Sequence, residues 1–243
     1  VGVAVPTPAQ TTVANQSDGD TPSSLPANND VNDGTDNTDV GLLQVELGSV
    51  FARTDSASHM SGIPITLRYG AFEWLEVSAG TDGYERQTAV DPARTEGMGN
   101  VQLGARMRLF AKRGGLPIVA LLPQVSLPTA SPTKGLGTGD TDVTLAALTG
   151  RDFADRSHVD VSYGAGRIGE GDGLGRFTQQ AAFVSGSIGV TPRVTPSLTL
   201  SWLSRQDALT GRAVMLTGDT TVTVSRRIAL DVSAEFGLTP QSP

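Results

Sequence analysis

Apolar and polar residues alternate along most of the chain from Leu42 to Phe236. The clearest examples are the runs 101–109 and 228–236, in which every second residue is apolar and the residues between are charged, polar or small. Because successive side chains of a β-strand point to opposite faces, each run predicts a strand with one apolar and one polar face. The pattern predicts eleven strands, at residues 42–53, 62–70, 73–84, 99–111, 117–127, 141–151, 157–167, 178–190, 196–205, 212–225 and 228–237.

The connections between these strands alternate between long and short. The long ones are rich in glycine or polar residues, at 54–61, 85–98, 128–140, 168–177 and 206–211, and the short ones are 71–72, 112–116, 152–156, 191–195 and 226–227. Short turns on one side and long loops on the other are typical of up-and-down barrels that cross a membrane. We therefore expect an all-β fold, an antiparallel up-and-down transmembrane β-barrel. Because bacterial barrels have an even number of strands, we expect about 12. Either the alternation merges or misses one strand, or the last strand is absent from this chain, and we favour the second.

The more apolar face of these strands is expected to contact lipid, and it carries no charge. Its members are Ile63, Ile65, Leu67, Tyr69, Leu75, Val77, Ala79, Val101, Leu103, Ala105, Met107, Leu109, Val143, Leu145, Ala147, Val159, Val161, Tyr163, Leu198, Leu200, Trp202, Ile228, Leu230, Val232 and Phe236. The opposite face carries the residues that we expect to line a pore, namely Glu46, Arg68, Glu76, Arg106, Arg108, His158, Asp160, Asp231 and Glu235. Periodicity alone does not tell which face meets water, so a soluble barrel with the faces reversed remains an alternative.

Composition separates an acidic N-terminal segment from the rest of the chain. Residues 1–40 contain six acids and no Lys or Arg, whereas residues 41–243 hold the remaining 19 acids and all 18 bases. Residues 1–40 are also rich in Thr, Asn, Asp and Pro, and so we expect a disordered tail or linker, followed by the barrel at 41–243. The apolar residues Val1 to Val5 suggest the end of a signal peptide. The near-neutral remainder has no basic footprint for nucleic acid.

Motifs that carry chemistry are weak in this sequence. The chain has no cysteine and two histidines, which argues against a thiolate or His-rich metal centre. The segment 30–39 departs from a calcium loop because Val31 stands at a ligand position, and the glycines at 135–139 lack the Gly-Lys-Ser/Thr of a phosphate loop. His158 and Asp160 share a strand face and could serve a hydrolase triad with a serine, but no spacing supports a particular serine. We expect no enzyme activity, no cofactor and no metal.

Several segments resemble one outer-membrane family. Ile65 to Gly70 followed by Trp74 to Val77 is similar to an early hairpin of the family, and Gly97 to Arg106 resembles its glycine-rich strand entry. Leu127 to Ser131 with Gly135 to Asp140 resembles its Pro-Thr-Gly loop, with Ala130 in place of a glycine, and Phe236 to Pro240 resembles the turn before its final strand. This is the β-barrel family labelled "putative meta-pathway of phenol degradation", whose members are often called transporters.

The resemblance implies an exported barrel in the outer membrane of a Gram-negative-type bacterium, and no catalytic residue. We expect a narrow, passive, porin-like conduit for small, hydrophobic or aromatic solutes, with outer-membrane lipid and the solute as its partners. A first alternative is a structural barrel that anchors other components of the cell envelope, with residues 1–40 as the contact to an envelope protein. The second alternative is a soluble barrel that binds a ligand inside.

Overall fold

A computed structural model describes residues 9–14, 37–53, 59–88, 94–110, 117–134, 136–154, 156–169, 175–205, 211–225 and 228–239. These residues form one β-sheet and a short 3-10 helix, Pro132–Lys134. The strands are β1 (Ala9–Ala14), β2 (Leu43–Arg53), β3 (His59–Phe72), β4 (Leu75–Thr88), β5 (Arg94–Met98), β6 (Val101–Phe110), β7 (Ile118–Leu127), β8 (Asp142–Ala154), β9 (Ser157–Gly169), β10 (Arg176–Ile188), β11 (Val194–Leu203), β12 (Ala213–Ser225) and β13 (Ile228–Gly237). The predicted all-β, antiparallel, up-and-down fold is confirmed.

Sequence neighbours pair with each other throughout the sheet. Every pairing between strands is antiparallel, and β4 pairs with β6 along its first half and with the short strand β5 beyond it. β1 pairs with both β13 and β2, with Thr11 opposite Leu230 and Leu47. Each of the twelve strands β1 to β4 and β6 to β13 therefore has a pairing partner on both sides within the described part of the chain.

All eleven strands expected from the alternation of residues are present, as β2 to β4 and β6 to β13. Their bounds differ from the expected ones by a few residues, because main-chain pairing extends a strand into turn residues whose side chains break the alternation. β5 lies in a connection that was expected to be irregular. The part of β4 from Tyr84 to Thr88 extends beyond Val101, the first residue of β6, so its main-chain groups are not paired with β6. β5 pairs with these groups instead.

The N-terminal strand differs from expectation in two ways. β1 lies within residues 1–40, which the composition predicts to be a disordered tail, and it occupies the place beside β13 where a strand absent from the chain was expected. Its sequence, AQTTVA, contains β-branched residues that suit a strand. Unpaired main-chain groups at the edges of β2 and β13 provide partners for such a segment. Residues 1–8 and 15–36 lie outside the described residues.

The alternating lengths of the connections give the sheet two different ends. At one end, which we call the short-turn end, the strands β3, β6, β8, β10 and β12 end. At the other, the long-loop end, the strands β2, β4, β7, β9 and β11 end, and β5 and the 3-10 helix lie there. The position of each side chain along its strand can therefore be given relative to these two ends.

Candidate functional site

The two faces of the sheet differ in burial in a way that is unusual for a water-soluble protein. Among the residues that the structure describes, 33 large hydrophobic side chains are exposed, including most of the predicted lipid-facing set, whereas ten hydrophobic residues are buried. The buried polar and charged residues include Glu46, Arg68, Glu76, Arg106 and Asp231. We call these the apolar face and the polar face. A soluble barrel would need its apolar side chains inside, whereas here most large apolar side chains lie on the exposed face.

All nine residues predicted to line a pore belong to the polar face. Five of them are buried, as given above, and Arg108, His158, Asp160 and Glu235 are partly buried. They do not form one site. Four come together in the cluster of Arg68, and Arg108 lies on β6 two residues beyond Arg106 of that cluster. His158 and Asp160 contact each other on β9, and Asp231 and Glu235 lie on β13. Their pore-lining role stays a prediction.

The first cluster is a network of buried charges on β2, β3, β4 and β6. Arg68 Nε lies 2.8 Å from Glu46 Oε1, and Arg68 Nη1 lies 3.3 Å from Glu76 Oε1. Arg106 Nη1 is 3.8 Å from the same oxygen of Glu76, and Gln44 Nε2 donates to Glu46 Oε1 over 2.8 Å. The register explains the contact, because Gln44 pairs with Arg68 and Glu76 pairs with Arg106 across the ladders. Both glutamates are 1% exposed, so the arginines are their essential counter-charges.

The chain just before β2 covers this cluster at the short-turn end. The main-chain N–H of Thr38 donates to Glu76 Oε2 over 2.7 Å, and Gly41 N–H donates to the Gly70 carbonyl over 2.8 Å. Gly70 permits the approach, since a Cβ at this position would collide with the carbonyl oxygens of Thr38 and Asp39. A cavity of about 60 Å³ lies on the other side of the cluster. Side chains and main chain therefore leave little open space on the polar face at this cluster.

The second cluster is centred on His158 at the start of β9. His158 Nδ1 lies 2.6 Å from Asp152 Oδ1, and Nε2 lies 3.0 Å from Asp160 Oδ1. A serine hydrolase triad needs one ring nitrogen free to take the serine proton. Because carboxylates occupy both nitrogens here, the arrangement does not match a triad. It is instead a compact charged group on the polar face.

A third polar group, on β10 to β13, contains residues that the sequence analysis did not select. Thr199 Oγ1 donates to Ser185 Oγ over 3.0 Å, and Thr217 Oγ1 donates to Glu235 Oε2 over 2.9 Å. Asp219, which is buried, receives a hydrogen bond of 3.5 Å from Ser197 Oγ. The alternation could have identified Asp219, because it shares its parity with Thr217 and Thr221, while Leu216, Gly218 and Val222 on the opposite parity are apolar or small.

The polar face also carries apolar side chains, which the alternation did not predict. Phe177 and Met215 are buried near the long-loop end, Phe183 is buried further along β10, and Ile118 and Leu148 are buried near the short-turn end. The charged clusters around Arg68 and His158 both lie toward the short-turn end. Along the axis, the long-loop end of β10 and β12 is therefore more apolar than the charged region.

No group of three or more His, Cys, Asp or Glu side chains that could hold a metal ion occurs in the described part of the chain. A search of the same residues for a helix long and apolar enough to cross a membrane finds none.

Comparison with known proteins identifies a family for nearly the whole sheet. The family model described as "Putative MetA-pathway of phenol degradation" matches residues 27–242. The chain belongs to this family. The match covers β2 to β13 and confirms the family that the motifs of the sequence suggested. A comparison with curated proteins finds no match.

Proposed function

We propose that the chain is a β-barrel of the bacterial outer membrane that forms a narrow, passive conduit for small apolar or aromatic solutes. The observation that carries this proposal is the inverted burial: within the described ranges, 33 large hydrophobic side chains are exposed while charged side chains are buried. Exposed apolar patches of this extent are rare on soluble monomers. In a bilayer the same surface contacts hydrocarbon, and an antiparallel sheet closed on itself satisfies its main-chain hydrogen bonds there.

Exposed aromatic residues support the membrane placement because they lie at both ends of the sheet. Phe72, Trp74, Phe110 and Phe153 are exposed at the short-turn end, where the rings of Phe72 and Trp74 stack with centroids 5.8 Å apart. Phe51, Tyr84 and Phe236 are exposed near the long-loop end. Outer-membrane barrels carry aromatic girdles at the two interfaces. Most of the exposed aromatic residues thus lie where girdles are expected, and Tyr163 in the middle of β9 is an exception.

The spacing between these aromatic groups fits a membrane. Trp74 and Tyr84 are ten residues apart on one hairpin arm. At about 3.3 Å per residue and a strand tilt of about 40°, ten residues rise roughly 25 Å, which is the height of the apolar band of outer-membrane barrels. Exposed charged side chains such as Arg86 and Arg167 lie at the strand ends, beyond this band or at its edge.

The content of the polar face supports the choice of solute. Twelve strands place the barrel between eight-stranded ones, which side chains fill, and porins with an open channel. The apolar side chains of Phe177, Phe183 and Met215 would offer a small hydrophobic molecule contacts near the long-loop end. The charged clusters around Arg68 and His158 lie farther from this end, and the charged residue Glu235 lies beside Met215, since it pairs with Thr217. Passive transfer of this kind needs neither a cofactor nor a catalytic group.

Two measurements test the proposal in sequence. The chain is exported in a Gram-negative host, and the outer-membrane fraction is washed with carbonate and salt. We expect retention in the membrane and a heat-modifiable mobility on gels. The purified chain is then reconstituted in lipid vesicles, and the entry of p-nitrophenol and of glucose is compared with that in empty vesicles. Faster entry of p-nitrophenol supports the conduit. Release into the soluble fraction contradicts the membrane placement, and entry equal to that in empty vesicles contradicts transport.

A further inference from the structure

The segment just before β2 lies on the polar face of the sheet and not on its apolar face. We call this segment, residues 37–42, the strap. Gly70 has the same parity on β3 as Arg68, whose buried side chain belongs to the polar face. A Cβ on Gly70 would point to that same face, and there it would collide with the carbonyl oxygens of Thr38 and Asp39. The main chain of the strap therefore rests on the inner side of β3.

Main-chain hydrogen bonds fasten the strap to β3 at the short-turn end. The Gly41 N–H donates to the Gly70 carbonyl over 2.8 Å, and the Gly70 N–H donates to the Leu42 carbonyl over 3.2 Å. These bonds lie outside the ladder between β2 and β3, which begins with the pair of Leu43 and Tyr69. Release of the strap would therefore break no residue pair of the ladder.

One further hydrogen bond ties the strap to the buried ion network. The Thr38 N–H donates to Glu76 Oε2 over 2.7 Å, while the other oxygen, Oε1, faces Arg68 and Arg106. A hydrogen bond to a carboxylate is stronger than one between neutral groups. Thr38 is 6% exposed and Glu76 is 1% exposed. Water does not reach the carboxylate beneath the strap, so the polar face is closed at this level on the side of β3 and β4.

The remainder of the strap is weakly attached. Asp39 and Val40 are exposed, and Val40 is 56% exposed although it is apolar. Asn37 Nδ2 donates to the Glu73 carbonyl in the β3–β4 turn over 3.4 Å, which is a long hydrogen bond at an exposed position. Segments with few buried side chains open at a much lower free energy than the whole fold. The strap thus combines a closed position with an attachment that local opening can break.

We propose that the strap is a gate that closes the short-turn end of the conduit. The inference rests on the conduit proposed above. In the closed state Thr38 is bonded to Glu76 and the strap covers the polar face. In the open state the strap has left β3, and ions and solutes pass. A change that displaces the strap raises the open population, and a bond that holds it in place lowers that population.

The first test measures the ion conductance of the full chain in planar lipid bilayers bathed in KCl. Gly70→Ala places a methyl group where the carbonyls of Thr38 and Asp39 lie, and so it displaces the strap. Loss of a hydrogen bond to a charged group shifts an equilibrium by about 10-fold or more, so we expect the mean conductance per chain to rise by up to about 10-fold. Gly218→Ala is the matched control, because a Cβ there would meet no atom within 4 Å. It should conduct as the unmodified chain does.

The second test holds the strap in place, and it also decides the question if Gly70→Ala does not fold. The chain has no cysteine, so the double variant Asn37→Cys and Glu73→Cys carries two thiols alone. A short bis-methanethiosulfonate reagent bridges them through disulfides, and we expect the conductance to fall to that of a protein-free bilayer. Dithiothreitol should restore it in the same sample. Glu73→Cys alone, treated in the same way, binds the reagent without forming a bridge and should keep its conductance.

The outcomes separate the gate from the conduit. Equal conductance of the unmodified chain, Gly70→Ala and the bridged variant would overturn the gate and leave the conduit intact. A conductance that the bridge does not lower would overturn the gate as well, because the strap would then not lie in the path. If none of these forms conducts, including Gly70→Ala and the reduced double variant, the conduit itself is contradicted and the gate falls with it.

Discussion

A single charge placed on the apolar face separates a membrane barrel from any soluble arrangement of the same sheet. Leu200 lies near the middle of β11, between Val184 and Leu216 on the neighbouring strands, and it is 47% exposed. On a soluble protein, Leu200→Arg at such an exposed position would change the free energy of unfolding by no more than about 0.5 kcal/mol. In a membrane barrel, the arginine would lie within hydrocarbon.

The expected change in the free energy of unfolding depends on how deep the arginine lies in the bilayer. An arginine at the bilayer midplane destabilises a barrel by about 2–4 kcal/mol, and the cost falls to about 0–1 kcal/mol near the interface. A change of 2–4 kcal/mol corresponds to roughly a 30- to 1,000-fold shift of the folding equilibrium. Ile188→Arg is the matched control, because Ile188 is 60% exposed and ends β10 at the short turn. We expect Leu200→Arg to be much more destabilising than Ile188→Arg.

The assay is reversible urea unfolding from lipid vesicles, followed by tryptophan fluorescence. The chain has two tryptophans, and Trp202 lies on the same face as Leu200, so the signal reports on the relevant surface. The free energies of unfolding of both variants are compared with that of the unmodified chain. Equal values for the two arginine variants, both within 0.5 kcal/mol of the unmodified chain, would refute the placement of this face in lipid.

The buried charges and the segment before β2 give two further predictions. Arg68→Met leaves Glu46 and Glu76 without their closest counter-charge, so we expect a loss of about 3–5 kcal/mol in the free energy of unfolding, measured by urea titration; adding Glu46→Gln should recover part of it, and additive losses would contradict the network. Gly70→Ala should displace the chain around Thr38 and raise hydrogen exchange of the Thr38 amide, whereas Gly218→Ala, where a Cβ would meet no atom within 4 Å, should not. Unchanged exchange in Gly70→Ala would contradict the packing described for this segment.

Much of the fold could be predicted from the sequence because strand periodicity is local. The runs at 101–109 and 228–236 become β6 and β13, and the alternation of long and short connections is as expected. β1 and β5 could not be predicted in the same way. Both are short, and both form because neighbouring strands leave main-chain groups unpaired, which is a property of the assembled sheet and not of their own sequence.

The composition of the polar face could be predicted, but its division into clusters could not. Glu46, Arg68 and Glu76 share a parity that the sequence shows, whereas their contact depends on the register between three strands. A shift of one ladder by two residues would keep every parity and separate these charges. The same reasoning explains why His158 was considered for catalysis. Its second carboxylate partner, Asp152, comes from the neighbouring strand β8.

Periodicity leaves open which face meets water, and burial together with electrostatics supports our proposal that the apolar face meets lipid. Burial of the Glu46 and Glu76 carboxylates carries a desolvation penalty that only nearby positive charges can offset. Arg68 and Arg106 provide these charges. On the apolar face the exposed charged side chains, such as Arg86 and Arg167, lie toward the strand ends, where most of the exposed aromatic residues also lie. In a soluble protein the same arrangement would leave these hydrophobic side chains in contact with water, which is unfavourable. The pairing of buried charges and the exposure of apolar side chains are therefore the two observations that support the proposed membrane placement, since a sheet surrounded by hydrocarbon would require both.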